Sequence, residues 1–124
     1  MLIVSPIQTK EEQEQICSQC GIEFKPECLA YKAYDQGLIG ICQFSISDDK
    51  GIIQNLSYAP GVDDKEAMII MLRATMSFMN RCGIADSFFK KENVDSSLYE
   101  MSSYKRIDDN TYYIDLNKFY NSRH

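Results

Sequence analysis

The stretch GIIQNLSYAPGVDDKEAMIIMLRATMSFMNRCG, residues 51–83, decides the fold. A strand-like run, Ile52–Tyr58, meets a turn at Ala59-Pro60-Gly61. From Asp63 to Arg81 the period changes: Met68, Met71, Leu72, Thr75, Met76 and Met79 recur at helical spacing, and Ile69, Ile70, Ala74 and Phe78 widen the apolar face. Only Arg73, Ser77, Asn80 and Arg81 remain clearly polar, so this helix is expected to be buried on most sides against a sheet. Strand, turn and helix in that order form a framework on which many proteins hold a phosphate at a helix N-terminus. Here the junction Val62-Asp63-Asp64-Lys65-Glu66-Ala67 carries three carboxylates and no glycine after Gly61, a composition that repels an anion.

Upstream, Met1–Pro6 reads as a first strand. Thr9 to Cys20 has good helix formers, a Thr cap and Gly21 as a stop. Cys28–Tyr34 and Leu38–Ile46 form a hairpin about Asp35-Gln36-Gly37, and Asp48-Asp49-Lys50-Gly51 turns the chain into Ile52–Tyr58. Three strands joined by tight turns make an antiparallel meander. Downstream, Ile84–Phe89 reads as a strand, and the helical crossover permits parallel pairing with Ile52–Tyr58. A short helix from Val94 to Ser103 leads to Lys105-Arg106-Ile107, a turn at Asp108-Asp109-Asn110, and a last strand, Thr111–Leu116. The expected order is β-α-β-β-β-α-β-α-β-β: an α+β fold with a mixed, mostly antiparallel sheet, a central buried helix and one parallel join, where strands splay and a ligand can enter.

At 124 residues the chain is expected to be one domain, 1–124. Its 44% hydrophobic and 25% charged content belongs to a folded globular protein. A net charge of −5 without any basic stripe argues against nucleic acid as a partner. No apolar run approaches the ~20 residues that cross a bilayer, so no membrane association is expected, and the N-terminus is too short and uncharged for a signal peptide. Five cysteines, at positions 17, 20, 28, 42 and 82, read as reduced thiols in a cytoplasmic protein. Cys17-x-x-Cys20 lies in a helix, Cys28 is a third thiol, nothing supplies a fourth ligand and the one histidine is His124, so no metal is expected.

The order of elements resembles the GNAT superfamily, the acyl-CoA-dependent N-acyltransferases. Leu56-Ser-Tyr-Ala-Pro60, followed by an apolar helix ending at Gly83, is similar to the family's fourth strand and central helix. Tyr99-Glu-Met-Ser-Ser-Tyr104 is similar to its tyrosine-containing segment ending in Gly-Phe, with Ser103 for Gly and Tyr104 for Phe. The resemblance covers nearly the whole chain and implies acetyl-CoA or another acyl-CoA as cofactor. Backbone groups of Leu56, Ser57 and Tyr58 would hold the pantetheine arm, and Asp63, Asp64, Lys65, Glu66 and Ala67 would stand at the pyrophosphate. Tyr99 would be the general acid that reprotonates the leaving thiolate. The family's loop is of the type Gln/Arg-x-x-Gly-x-Gly/Ala, so Asp63 replaces a basic or amide residue and Glu66 stands near a glycine. A carboxylate about 5 Å from a phosphate at an effective dielectric near 20 costs on the order of 3 kcal/mol before screening.

The same residues have a purely structural account. Asp63-x-x-Glu66 before an apolar run reads as a capping box, with Asp63 as N-cap and Glu66 reaching back. Tyr99 can equally pack its segment onto the sheet. For a general base, Gln54 and Asn55 offer no carboxylate; Asp86, or Glu23 and Glu27 facing an amine, are the remaining choices. Two functions follow: an acyl-CoA N-acyltransferase acting on an amine, or a GNAT-like interaction or regulatory domain that has lost CoA and binds a protein partner. A homodimer through the edge near Thr111–Leu116 is compatible with both.

Overall fold

A computed structural model describes residues 1–121. The meander forms because its turns are chemically specified. β2 (Leu29–Tyr34) returns through Gln36 and Gly37, both at positive φ, into β3 (Leu38–Ser47). Asp48 and Asp49, at φ 52° and 64°, make the two-residue hairpin into β4 (Lys50–Tyr58). Two consecutive left-handed residues are the requirement of a type I′ turn, which aspartate tolerates. The sequence reading put Gly51 in that turn. It lies instead within β4, where an added Cβ would be 2.4 Å from Met79 Sδ; glycine is there for close packing.

β1 (Ile3–Pro6) pairs antiparallel with β2, and α1 (Lys10–Cys20) follows it. Thr9 Oγ1 accepts from the Glu12 N–H, and Gly21 ends α1 at φ 70°. α2 (Lys65–Arg81) carries the chain over to β5 (Asp86–Lys90), which pairs parallel with β4 from Lys50↔Asp86 to Ile53↔Phe89. The sheet runs β1-β2-β3-β4-β5-β7-β6, with β6 at Lys105–Arg106 and β7 at Thr111–Asp115. The mixed, mostly antiparallel α+β architecture is the one expected.

Strand alternation gives each helix its own face. Ile16 and Cys17 of α1 pack on Ala30 and Ile41, while Tyr31, Cys42, Phe44, Ile53 and Leu56 join Met68, Met71, Leu72, Met76 and Met79 of α2 in the main core. In β4, Asn55 pairs with Gln43 and Ile53 with Phe44, so Gln54 is an extra residue: a β-bulge.

Three expectations differ. Residues 94–103 are not an α-helix but two 3₁₀ turns, Ser96–Leu98 and Glu100–Ser102. Asp95 Oδ1 takes the Ser97 N–H and Oγ–H, Ser102 Oγ–H donates to the Tyr99 carbonyl, and the Arg73 guanidinium takes the Met101 and Ser102 carbonyls at 3.1 and 2.9 Å. Side chains thus capture backbone groups that an α-helix would need, which is how serine and aspartate compete with helix. Ser103 then sits at φ 71°, a left-handed position that glycine adopts more readily than serine. Second, Leu116 does not extend the last strand; it is buried at the start of a third helix, α3 (Leu116–Asn121). Third, Thr111–Leu116 is not a free edge, because β7 lies between β5 and β6. The two-residue β6 is the edge on that side, and β1 is the other.

Candidate functional site

The parallel β4–β5 pairing stops at Ile53↔Phe89. Beyond it the chain leaves β5 through a 3₁₀ turn, Lys91–Asn93, and pairs with β4 again at the bridge Leu56↔Val94, with the Asp95 N–H donating to the Leu56 carbonyl at 3.3 Å. Past Leu56, the side of β4 that faces β5 has no strand partner. The Gln54 bulge and the three-residue detour at 91–93 together open a cleft of about 290 Å³ lined by Leu56, Ser57, Tyr58, Glu92, Asn93, Val94 and Asp95. Here is the splayed join expected from the order of elements, and Leu56, Ser57 and Tyr58 all line it.

The α2 N-terminus lies beside Tyr58. The N-cap is Asp64, not Asp63: the Asp64 Oδ1 accepts from the Ala67 N–H at 3.1 Å, and the Asp64 carbonyl receives the Met68 N–H. With Asp64 as cap, the third helical position is Ala67, which has no side chain to reach back, so the reciprocal box does not form. Asp63 is exposed and stands 3.8 Å from Lys65 Nζ. Glu66 lies in the first helical turn, where its charge favours the helix dipole.

Tyr58 turns its ring into the main core. Its hydroxyl is buried and makes no hydrogen bond among the described residues, although the Ser97 side chain and the Asp64 backbone face it. Burial first, and the Asp63 charge second, raise its pKa.

Tyr99 stands across the same end of the sheet. Its hydroxyl donates to the Lys91 carbonyl, and its ring stacks on Phe89 with centroids 6.0 Å apart and lies tilted against Tyr112 at 4.8 Å. Its pKa is raised, chiefly by burial and then by Tyr112. Tyr99 is thus both hydrogen-bonded through its hydroxyl and packed through its ring. Tyr104 is core, with its hydroxyl 2.7 Å from Ser87 Oγ. Of the base candidates, Asp86 accepts the Tyr113 hydroxyl at 2.6 Å, and Glu23 is 4.0 Å from Lys25 Nζ. No group of three metal-ligating side chains occurs among the described residues, and no helix among them is long and apolar enough to cross a membrane.

Sequence reasoning missed a buried amide chain on the α1 face. Gln13 Nε2 donates to Gln43 Oε1 at 2.9 Å, and Gln43 Nε2 donates to Asn55 Oδ1 at 2.8 Å and to the Glu23 carbonyl at 2.9 Å. Lys25 Nζ reaches Asn55 Oδ1 at 3.4 Å. One signal was available: Gln43 sits amid the apolar run of β3 and is fully buried.

No family model and no curated protein sequence matches the chain. Solved structures do match. The IAA acetyltransferase from Bacillus cereus ATCC 14579 superposes with a TM-score of 0.73 at 15% identity, covering 93% of this chain and 99% of that one. PaiA N-acetyltransferase from Thermoplasma acidophilum, solved in complex with coenzyme A, gives 0.69 at 15% identity over 93% and 99%. A Bacillus subtilis acetyltransferase, also in complex with CoA, gives 0.69 at 11% identity over the same shares. Fold and splayed join define a class: this chain has the GNAT superfamily fold.

Two of those neighbours were solved with coenzyme A, and the corresponding helix mouth of this chain is acidic. The cap is filled by the chain's own carboxylate, and Asp63, Asp64, Glu66, Glu92 and Asp95 border the helix mouth and cleft against Lys65, itself paired with Asp63.

Proposed function

We propose that this chain is a GNAT-fold interaction or regulatory module that does not take up acyl-CoA. The Asp64 carboxylate on the Ala67 N–H carries the reading: an anion of the chain itself already occupies one donor of the helix terminus on which the family would set a pyrophosphate. The closed-over Tyr58 hydroxyl and the Tyr99 hydroxyl held by Lys91 agree with it, since neither is presented to a ligand in the cleft. Calorimetric titration with CoA and acetyl-CoA at low salt tests the reading. Absence of heat and of a thermal shift at millimolar ligand is expected. Micromolar binding would overturn it.

One observation favours a second reading, an acyl-CoA-dependent N-acyltransferase acting on an amine. Beyond Leu56, β4 offers an unpartnered backbone edge inside a cleft, a groove in which an extended amide-bearing arm can pair. Acetyl transfer to an amine, lost on Tyr99→Phe, would establish that reading.

A further inference from the structure

We propose that the sheet face left uncovered over β4, β5 and β7 is a binding site for a small apolar carboxylate, an aryl or branched-alkyl acid. Ile52 and Phe88 are register partners in the parallel ladder, and their chain neighbours Ile53 and Phe89 belong to the α2-side core. Alternation therefore turns Ile52 and Phe88 to the opposite face. α1 covers that face only over β2 and β3. Over β4, β5 and β7 it holds a groove of about 230 Å³, lined by Lys50, Ile52, Phe88, Phe89, Lys90 and Thr111.

The floor is apolar and aromatic. Phe88 and Ile52 are half-buried, and the Phe88 ring leans on Tyr113 with centroids 5.0 Å apart. Cations stand at its rim: Lys50 Nζ is 6.0 Å from the Phe88 centroid, and Lys90 Nζ donates to Thr111 Oγ1 at 2.9 Å. That bond uses one of the three ammonium donors and positions the head group. In a chain of net charge −5, both ionisable side chains lining the groove are lysines. Two carboxylates stand near but do not line the groove: Asp86 accepts the Tyr113 hydroxyl, and Asp108, which also faces Lys90 and Thr111, accepts the Asn110 N–H. Charge complementarity thus selects an anionic end, and the floor selects an apolar body. The volume lies below the ~300–1,000 Å³ of drug-sized sites, so the occupant is compact.

This site does not depend on the fate of the acyl-CoA cleft, since it uses other residues on the face away from α2. The test is titration of the isotopically labelled chain with phenylacetate, followed through amide resonances, with phenethylamine as a cationic control of the same shape. Saturable shifts at Ile52, Phe88, Lys90 and Thr111 are expected with phenylacetate alone. The Lys50→Gln/Lys90→Gln variant should weaken binding at least tenfold, and Lys50→Arg/Lys90→Arg should retain it. Equal response to both probes, shifts confined to other residues, or undiminished binding in the double glutamine variant would each overturn the proposal. So would silence of these four amides at millimolar phenylacetate.

Discussion

Replacing Asp64 with alanine removes the side-chain acceptor of the Ala67 N–H and a negative charge at the positive end of the α2 dipole. Loss of an N-cap costs about 1 kcal/mol, and loss of a charge in this position a further ~0.3–1 kcal/mol, so about 1.5 kcal/mol is expected in total. An unfolding entropy of about 2.1 cal/mol/K per residue over 124 residues converts this to a Tm lowered by about 6 °C. Asparagine caps as well as aspartate, so Asp64→Asn should lose only the charge contribution, about 2 °C. Asp63 caps nothing, and its exposed pairing with Lys65 is worth little, so Asp63→Ala should shift Tm by no more than about 2 °C. Scanning calorimetry of the three variants decides. An Asp63→Ala loss equal to that of Asp64→Ala would move the cap to Asp63 and refute the reasoning. Equal losses in the alanine and asparagine variants at position 64 would show that charge, and not the hydrogen bond, is what stabilises the helix.

Three other perturbations have defined outcomes. Gln43→Leu strips partners from Gln13, Asn55 and the Lys25 N–H at once and should cost about 2–4 kcal/mol by denaturant titration, well above an exposed glutamine substitution. Gly40→Ala should destabilise more than Gly51→Ala: its Cβ would meet the Ser57 carbonyl oxygen at 2.6 Å as well as Met68 Sδ, whereas at Gly51 the obstacle is the Met79 side chain alone. Tyr113, pushed up to about 12 chiefly by its bond to Asp86, contributes stability that is complete below the ordinary tyrosine pKa near 10. It is lost as pH rises from there through 12, and Tyr113→Phe should flatten that part of a pH series of melting curves.

Much of the architecture was legible because the signals were local. Hairpins followed from Asp35-Gln36-Gly37 and Asp48-Asp49, and α2 from an apolar periodicity that no strand could carry. The splayed join followed from the crossover. Residues 94–103 misled because Val94, Leu98 and Ser102 have helical spacing and are all buried, while the captures that prevent the helix come from Arg73, 28 to 30 residues away, and from short-range serine bonds. The one-residue error in the α2 cap has a similar cause: two adjacent aspartates satisfy the same signature, and only the helix phase chooses between them. The buried amides were missed because glutamine and asparagine ordinarily read as surface, and Gln43 amid the apolar run of β3 was their one signal.

The Gln13–Gln43–Asn55 chain has a consequence for α1 itself. Few of its residues are apolar, with Ile16 and Cys17 the hydrophobic positions fully withdrawn from water. A helix held by greasy contact alone can roll or slip along its groove at small cost, because dispersion has no preferred direction. Amide pairs tolerate neither motion: a shift of an ångström or a roll of a few tens of degrees breaks the Gln13 rung and strips the buried Gln13 amide of its bond to Gln43. α1 is therefore keyed to the sheet as a pin is to a lock, and its first three turns should exchange amide protons in step with β3 instead of fraying on their own.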